Sequence, residues 1–409
     1  MKINKYFILL ICILSIHFVG LCQDITTQTE EIITTTTTTL TTSTITLTTP
    51  TLEKVVEPTS AESQIRDVVC SINGKGTYYS NWAYISEPDK EITLSVLAQE
   101  GGGENWASIN KKYGSDKENS HIRVASSVET KWKVDECNIL YSDDTSIKFK
   151  TPAKSGMYKI ELNGKEISSI TKLDDPSAKP VEEESSFGFK LNLLVSYKFD
   201  RNGSGAIEGY PIGIYPNEEK PDNNSFVSDH VDIYRPPMWF VKVTPDNKNL
   251  HISKHFVLGD FYKKLDQKEE SGFISIDPKL IDQLELMTTA LDEKGINSGG
   301  LIILRAYMTP MEIMKLQRDG VSISDFTRYI YGDGAALIID NNKDGKMDDL
   351  NADGQIDMSD ANFLGDIAAE VQKKSKHYGG IGTYSKPSDE YLPDSPYVQI
   401  DLRGSYARW

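Results

Sequence analysis

Residues 327–344 read TRYIYGDGAALIIDNNKD, and the fold of the C-terminal half turns on this stretch. The run ALIID is short, apolar and β-branched, as a buried strand requires. It ends directly in DNNKD, where aspartate and asparagine alternate with other residues. The continuation makes that alternation chemical. From Asp349 to Asp360 the chain reads DLNADGQIDMSD. Oxygen donors at alternate positions with glycine sixth match an EF-type calcium loop. The expected ligands are Asp349, Asn351, Asp353, the Gln355 carbonyl, Asp357 and Asp360, with Ile356 as the apolar anchor. A preceding half-copy, DNNKDGKMD, offers Asp340, Asn342, Asp344 and Asp348. Its twelfth position would be Asn351, already used by the second loop, so the two loops overlap. Carboxylates this closely spaced repel one another without a cation. Structural calcium is therefore the expected cofactor.

Around this stretch the hydrophobic period is helical and strand-like in turn. DPKLIDQLELMTTALDEKG (277–295) carries a cap at Asp277, Pro278 at the first position, and Leu280, Leu284, Met287 and Leu291 on one face. GGLIILRAY reads as a buried strand, TPMEIMKLQ as a helix with a capping box from Thr309 to Glu312, and SDANFLGDIAAEVQKK as a third helix. The apolar side of that helix is Phe363, Leu364, Ile367, Ala368 and Val371. YVQIDLR reads as a last strand. The C-terminal part is thus expected to be α+β, over 251–409.

Further out, residues 187–250 read as a β-rich lead-in, and the polar, proline-containing stretch 174–186 as a linker. Residues 65–173 contain the runs ITLSVLA, TKWKVDE, SIKFKTP and GMYKIEL, expected as strands of a β-sandwich. SIKFKTPAKSGMYKIEL resembles the closing strands of immunoglobulin-like or PKD-like domains, in which a tyrosine, here Tyr158 after Gly156, packs at a corner. Cys70 followed by Trp82 is similar to an immunoglobulin core. Residues 23–64 are dominated by threonine and read as a disordered stalk, bare or O-glycosylated. Asn202 and Asn223 begin N-x-Ser sequons. Residues 1–22 combine Lys2 and Lys5, an apolar core from Phe7 to Val19, and small residues at Gly20 and Cys22. That is the pattern of a secretory signal, so the protein is expected to be secreted or at the cell surface, with no transmembrane segment. Cleavage would leave Cys70 and Cys137, either paired as a disulfide or kept as buried thiols. The net charge of −16, with no basic stripe, excludes nucleic acid as a natural partner.

Four words taken in order, LIILRAYMTP, TRYIYGDGAALIIDNNKDGKMDDLNADGQID, HYGGIGTY and YVQIDLRGSYARW, resemble the zinc D-Ala-D-Ala carboxypeptidase and hedgehog-like family, in its secreted branch with a calcium-loop insertion. The resemblance implies a zinc site built from a motif S-x-H-x-x-G-x-A-x-D and a later V-H-x-D. Carried over by position, the first histidine falls on Tyr329, the aspartate on Ala336 and the last histidine on Gln399. The glycine is kept as Gly332 and the last-strand aspartate as Asp401. An arginine of the strand-to-helix turn falls on Met308. No histidine lies between His255 and His377, so no other register restores a ligand. Tyrosine, glutamine and alanine are poor zinc ligands or none, so zinc is not expected and no residue is assigned a catalytic role.

Three functions fit. The first is an exported, catalytically degenerate peptidase-fold protein that binds peptide or cell-wall components, such as a peptidoglycan stem peptide. The second is an active zinc D,D-carboxypeptidase or cell-wall endopeptidase with replacement ligands, for which His251, His255 and His377 are the available imidazoles. The third is a calcium-stabilised surface adhesin.

Overall fold

Alternating apolar residues in the N-terminal strands build two stacked sheets. The computed structural model describes residues 66–97, 122–172, 181–200, 203–216, 231–265, 270–387 and 389–409, with Ser177 and Lys179 between. The expected signal, stalk and both sequon asparagines lie outside the described residues. One sheet has the order β3 (Lys75–Tyr78), β2 (Val69–Ile72), β5 (Glu91–Leu97), β8 (Ser146–Lys150), β7 (Asn138–Ser142). The other runs β6 (Ile122–Val134), β9 (Gly156–Lys172), β10 (Val181–Val195). Its outer edge is shared by β1 (Arg66–Asp67) and β4 (Trp82–Ser86), both parallel to β10. Every second residue points inward: Ile92, Leu94 and Val96 on β5, Ile147 and Phe149 on β8, Tyr158, Ile160 and Leu162 on β9, and Phe187, Phe189, Leu191 and Leu193 on β10, all buried in one cluster. Each large side chain so buried stabilises the fold by about 1.5–3 kcal/mol relative to exposure. Residues 66–195 therefore form a β-sandwich. The Tyr158 hydroxyl donates to the Lys154 carbonyl at 2.8 Å, the expected corner contact.

Three expectations are corrected here. Residues 181–186, expected as the end of a linker, are strand. β10 begins at Val181 and pairs with β9 continuously, from Val181 opposite Ile170 to Val195 opposite Gly156. Its first residues are polar because this end of the ribbon extends beyond the buried core, where backbone pairing and cross-strand ion pairs such as Lys165–Glu184 suffice. The domain boundary accordingly falls near Ser196, not at 186. Cys70 and Cys137 are not joined: both are free thiols. Cys70 is an apolar core residue opposite Val96, and burial raises its thiol pKa far above the ordinary value. Cys137 is only half-buried at the rim of the same core, and burial pushes it up to about 11. Trp82 is outside the sandwich interior. It stacks on His251 with ring centroids 5.7 Å apart.

The turn between β7 and β8 is closed by one side chain. Asp143 accepts the N–H groups of Thr145 (2.8 Å) and Ser146 (2.7 Å) and the Tyr141 hydroxyl (2.7 Å). Burial would raise its carboxyl, but these hydrogen bonds outweigh that effect and hold it down to about 2. A depressed folded pKa gives stability that is present above the ordinary value of 3.8 and lost as pH falls toward 2. Asp143→Asn should cost about 1 kcal/mol at neutral pH. In urea titrations the gap from wild type should close between pH 4 and pH 2. A gap independent of pH would show that the carboxylate charge is not what closes the turn.

From Ser196 on, the chain builds a second core. β11 (Tyr197–Lys198), β14 (Trp239–Val243) and β15 (Gly272–Ile274) form a small sheet, with β12 (Ala206–Ile207) and β13 (Tyr210–Pro211) as a hairpin. Phe199, Ile212, Phe240 and Val243 are buried in the same cluster as the residues after 250, so 196–250 is part of that core and not a separate module. Helix α1 (Pro278–Glu293) starts where expected, with Asp277 accepting the Lys279 N–H at 2.9 Å, and buries Leu280, Leu284, Met287 and Leu291. Helix α2 (Pro310–Arg318) has the expected capping box from Thr309 to Glu312. A five-stranded sheet runs β16 (Leu301–Arg305), β17 (Gly334–Ile339), β19 (Tyr397–Asp401), β18 (Gly380–Tyr384), β20 (Ala407–Arg408). Helix α3 (Met358–Ser375) covers one face and packs on α1. Among the described residues no helix is long and apolar enough to cross a membrane.

Candidate functional site

The sheet face opposite α3 carries the positions singled out in the sequence. Ala336 pairs with Gln399 on one side and with Arg305 on the other, and Gln399 pairs with Gly382. Paired residues share a face, so these four line up across the strands. Tyr329 sits in a 3-10 turn (Arg328–Tyr331) beside them, its ring 5.8 Å from the Arg305 guanidinium. The Met308 N–H donates to the Tyr329 carbonyl at 3.2 Å and holds that turn against the strand-to-helix connection. The three positions matched to zinc ligands are thus neighbours in space, although 70 residues separate Tyr329 from Gln399.

Beside Ala336 and Tyr329 lies an ion pair. Arg305 Nη1 and Nη2 donate to the Asp389 carboxylate at 3.0 and 2.9 Å. The side chains are 7% and 0% exposed. The Tyr391 N–H takes a further share of Asp389, at 3.0 Å. Burial raises the Tyr329 hydroxyl far above its ordinary pKa despite the nearby guanidinium, so it stays a neutral phenol. Tyr384 and Tyr397 stack at 4.6 Å beside it, and Trp409 lies on Gly382, where a Cβ would collide with the indole. Asp401 is kept but occupied: it accepts the Gly380 N–H and the Arg403 Nε–H, each at 2.9 Å. A neutral phenol and a methyl group give a divalent cation little to bind. Arg305 and Asp389 were not singled out from sequence. The one available signal was an arginine ending the apolar run LIILR.

Gly332 is required by its backbone. Its φ is +75°, and a Cβ would collide with the Ser275 carbonyl. Its own carbonyl accepts the Asp277 N–H at 2.9 Å, tying the turn to the start of α1. Gly332→Ala should cost about 1–3 kcal/mol, from the left-handed backbone alone. Thermal unfolding unchanged within error would contradict this placement.

The acidic loops form a structural repeat of nine residues. Asp340 accepts the N–H groups of Asp344 (3.1 Å) and Gly345 (2.9 Å), and Asp349 those of Asp353 (3.2 Å) and Gly354 (2.8 Å). Asn342 and Asn351 accept the same two aspartate N–H groups, each at 2.9 Å. Positive φ recurs at Lys343 and Ala352, and at Gly345 and Gly354. Asp357 caps α3. Asp360 is fully buried and accepts the N–H groups of Leu350 (2.8 Å) and Asp357 (2.9 Å). Asp348 accepts the Asn341 N–H at 2.8 Å. Gln355 donates its N–H to Asp353. The anchor differs from expectation: Ile356 is 46% exposed, whereas Met347, nine residues earlier, is fully buried. Met347 lies against β17, its sulfur accepting the Ile339 N–H. Among the described residues no three His, Cys, Asp or Glu side chains converge to hold an ion. The loop carboxylates are instead turned onto their own backbone, and Asp360 Oδ1 accepts two N–H groups, from Leu350 and Asn351.

The histidines sit elsewhere. His255 Nδ1 meets Glu285 on α1 at 2.6 Å, and His251 stacks on Trp82. Their partners Trp82 and Glu285 line a groove of 480 Å³ between the sandwich and the C-terminal core, together with Tyr78, Tyr84, Ile281 and Asp282 among others.

Compared with known proteins, the sequence matches no family model and no curated protein. One solved structure, the ASH/PapD-like domain of human CEP192 (PapD-like domain 7), is similar at 13% identity and a TM-score of 0.14, over 36% of this chain and 95% of that chain. That likeness is too low to define a fold, and the sandwich rests on its own strand order.

Proposed function

We propose that this is an exported, non-catalytic binding protein built on a D,D-peptidase-like scaffold, with peptide or cell-wall material as its ligand and calcium as a structural ion. The observation that carries the reading is the set of side chains at these positions, Tyr329, Ala336 and Gln399, with the buried Arg305–Asp389 pair beside Ala336 and Tyr329. A zinc hydrolase needs about three donors and an open position for water. Here the side chains at those positions offer a neutral phenol, a methyl group and an amide, and the neighbouring guanidinium is already paired with Asp389.

The donor set of the two loops is all oxygen, which suits a hard cation. Asp340, Asn342, Asp344 and Asp348 would hold one ion. Asp349, Asn351, Asp353, the Gln355 carbonyl, Asp357 and Asp360 would hold the other. Bound calcium supplies positive charge to crowded carboxylates. Through Asp340, at the end of β17, and Asp357, at the cap of α3, the loops join strand to helix.

The test is cosedimentation of the purified protein with isolated peptidoglycan, together with an assay for released D-alanine. Binding without release is expected. Catalytic release of D-alanine would overturn the reading.

A further inference from the structure

A groove stands open between the two cores. The rim of the 480 Å³ groove on the sandwich side is β3 and the segment leading into β4; the opposite wall is the first half of α1. Its aromatic rings cross one another. Tyr78 meets Trp82 at 76° and Tyr84 at 85°, with centroids 6.3 and 5.7 Å apart, and Tyr79 tilts over Trp82 at 4.9 Å. Crossed rings turn their electron-rich faces in several directions around one space. The facing carboxylates are Asp282 and Glu285, and Lys254 lines the groove as well. Glu285 is bonded to His255. Asp282 makes no hydrogen bond or ion pair among the described residues, although Lys75 and His377 are near enough to influence it. Burial raises its carboxyl pKa above the ordinary value.

Asp282 is exposed at the edge of the groove and has no bonded cation among the described residues, and aromatic faces beside it attract positive charge. A neutral sugar would stack on the rings but leave that charge uncompensated. An alkylammonium group satisfies both. β3 is also the outer strand of its sheet, the place where an extended peptide can lie alongside a protein. The overall charge of −16 favours the approach of a basic partner. We infer that this groove is a binding site for a lysine side chain presented on an extended peptide, its ammonium against Asp282 and its stem among Tyr78, Tyr79 and Trp82.

This site does not depend on the zinc position being closed. Zinc uptake there would sink the function proposed above and leave the groove unaffected. Isothermal titration calorimetry on the full chain tests it, with two peptides, Ac-Ala-Ala-Lys-Ala-Ala-NH2 and the same sequence with norleucine for lysine. The lysine peptide should bind at least tenfold more tightly than its uncharged isostere. Asp282→Asn, on an exposed turn of α1 and nearly the same shape, should remove that preference while the circular dichroism spectrum stays unchanged. Equal affinity for the two peptides, no heat with the lysine peptide at millimolar concentration, or binding of chitotetraose in its place would each overturn the proposal.

Discussion

Asp389→Ala should lower the unfolding free energy by about 3–5 kcal/mol, the range for breaking one partner out of a buried ion pair. Asp389 is fully enclosed and takes both outer nitrogens of Arg305. Its removal would leave a guanidinium, 7% exposed, with no countercharge. Arg305 cannot lose its proton to escape that state. The double variant Arg305→Met/Asp389→Leu should recover most of the loss, because the pair as a whole gains little over apolar packing of similar volume. Urea denaturation of the two variants side by side provides the comparison. A small effect from Asp389→Ala alone would mean that water or another group reaches Arg305 and that the position is not sealed.

Calcium removal should produce the second large effect. A ligand that binds only the folded state stabilises it by about 2.7 kcal/mol per site at a hundred times its dissociation constant. Two filled loops would therefore contribute about 5 kcal/mol. Chelation should lower the melting temperature, and readdition of calcium should restore it, with magnesium much less effective because it demands octahedral geometry and holds its water. Asp349→Ala should abolish the part due to the second loop. The Asp340→Ala variant should be damaged more broadly, since Asp340 is 4% exposed and its own N–H pairs with the Gly300 carbonyl. A melting temperature indifferent to chelator and calcium would remove calcium from the account.

Much of the fold was legible because local rules and burial agree. Strict alternation in β5 and β8 marked the sandwich. Asp277 with Pro278, and Thr309 with Glu312, marked two helix starts, and the structure uses both pairs as caps. The failures have physical causes. The charged start of β10 reads as a linker, yet a ladder outside the core needs only backbone partners and opposite charges across strands. Cys70 and Cys137 read as a pair by count alone, and count says nothing of distance. Ile356 reads as an anchor by its place in the loop, but the earlier copy, through Met347, is the one that faces the core.

The candidate sites divide in the same way. The oxygen donors of the two loops are contiguous in sequence and could be enumerated. Strand register pairs Ala336 with Gln399 and with Arg305. Asp389 carried no signal, because it lies in a polar loop and acquires its role only by reaching Arg305 from 84 residues away. The groove could not be foreseen either. Trp82 and Asp282 come together only when the sandwich and α1 are packed side by side.

The central claim is that this scaffold holds calcium and has lost the place for zinc. The most direct measurement is metal content by mass spectrometry on the purified protein, equilibrated with both ions and then dialysed against metal-free buffer. The account predicts retained calcium and no zinc above background. Near-stoichiometric zinc would contradict it.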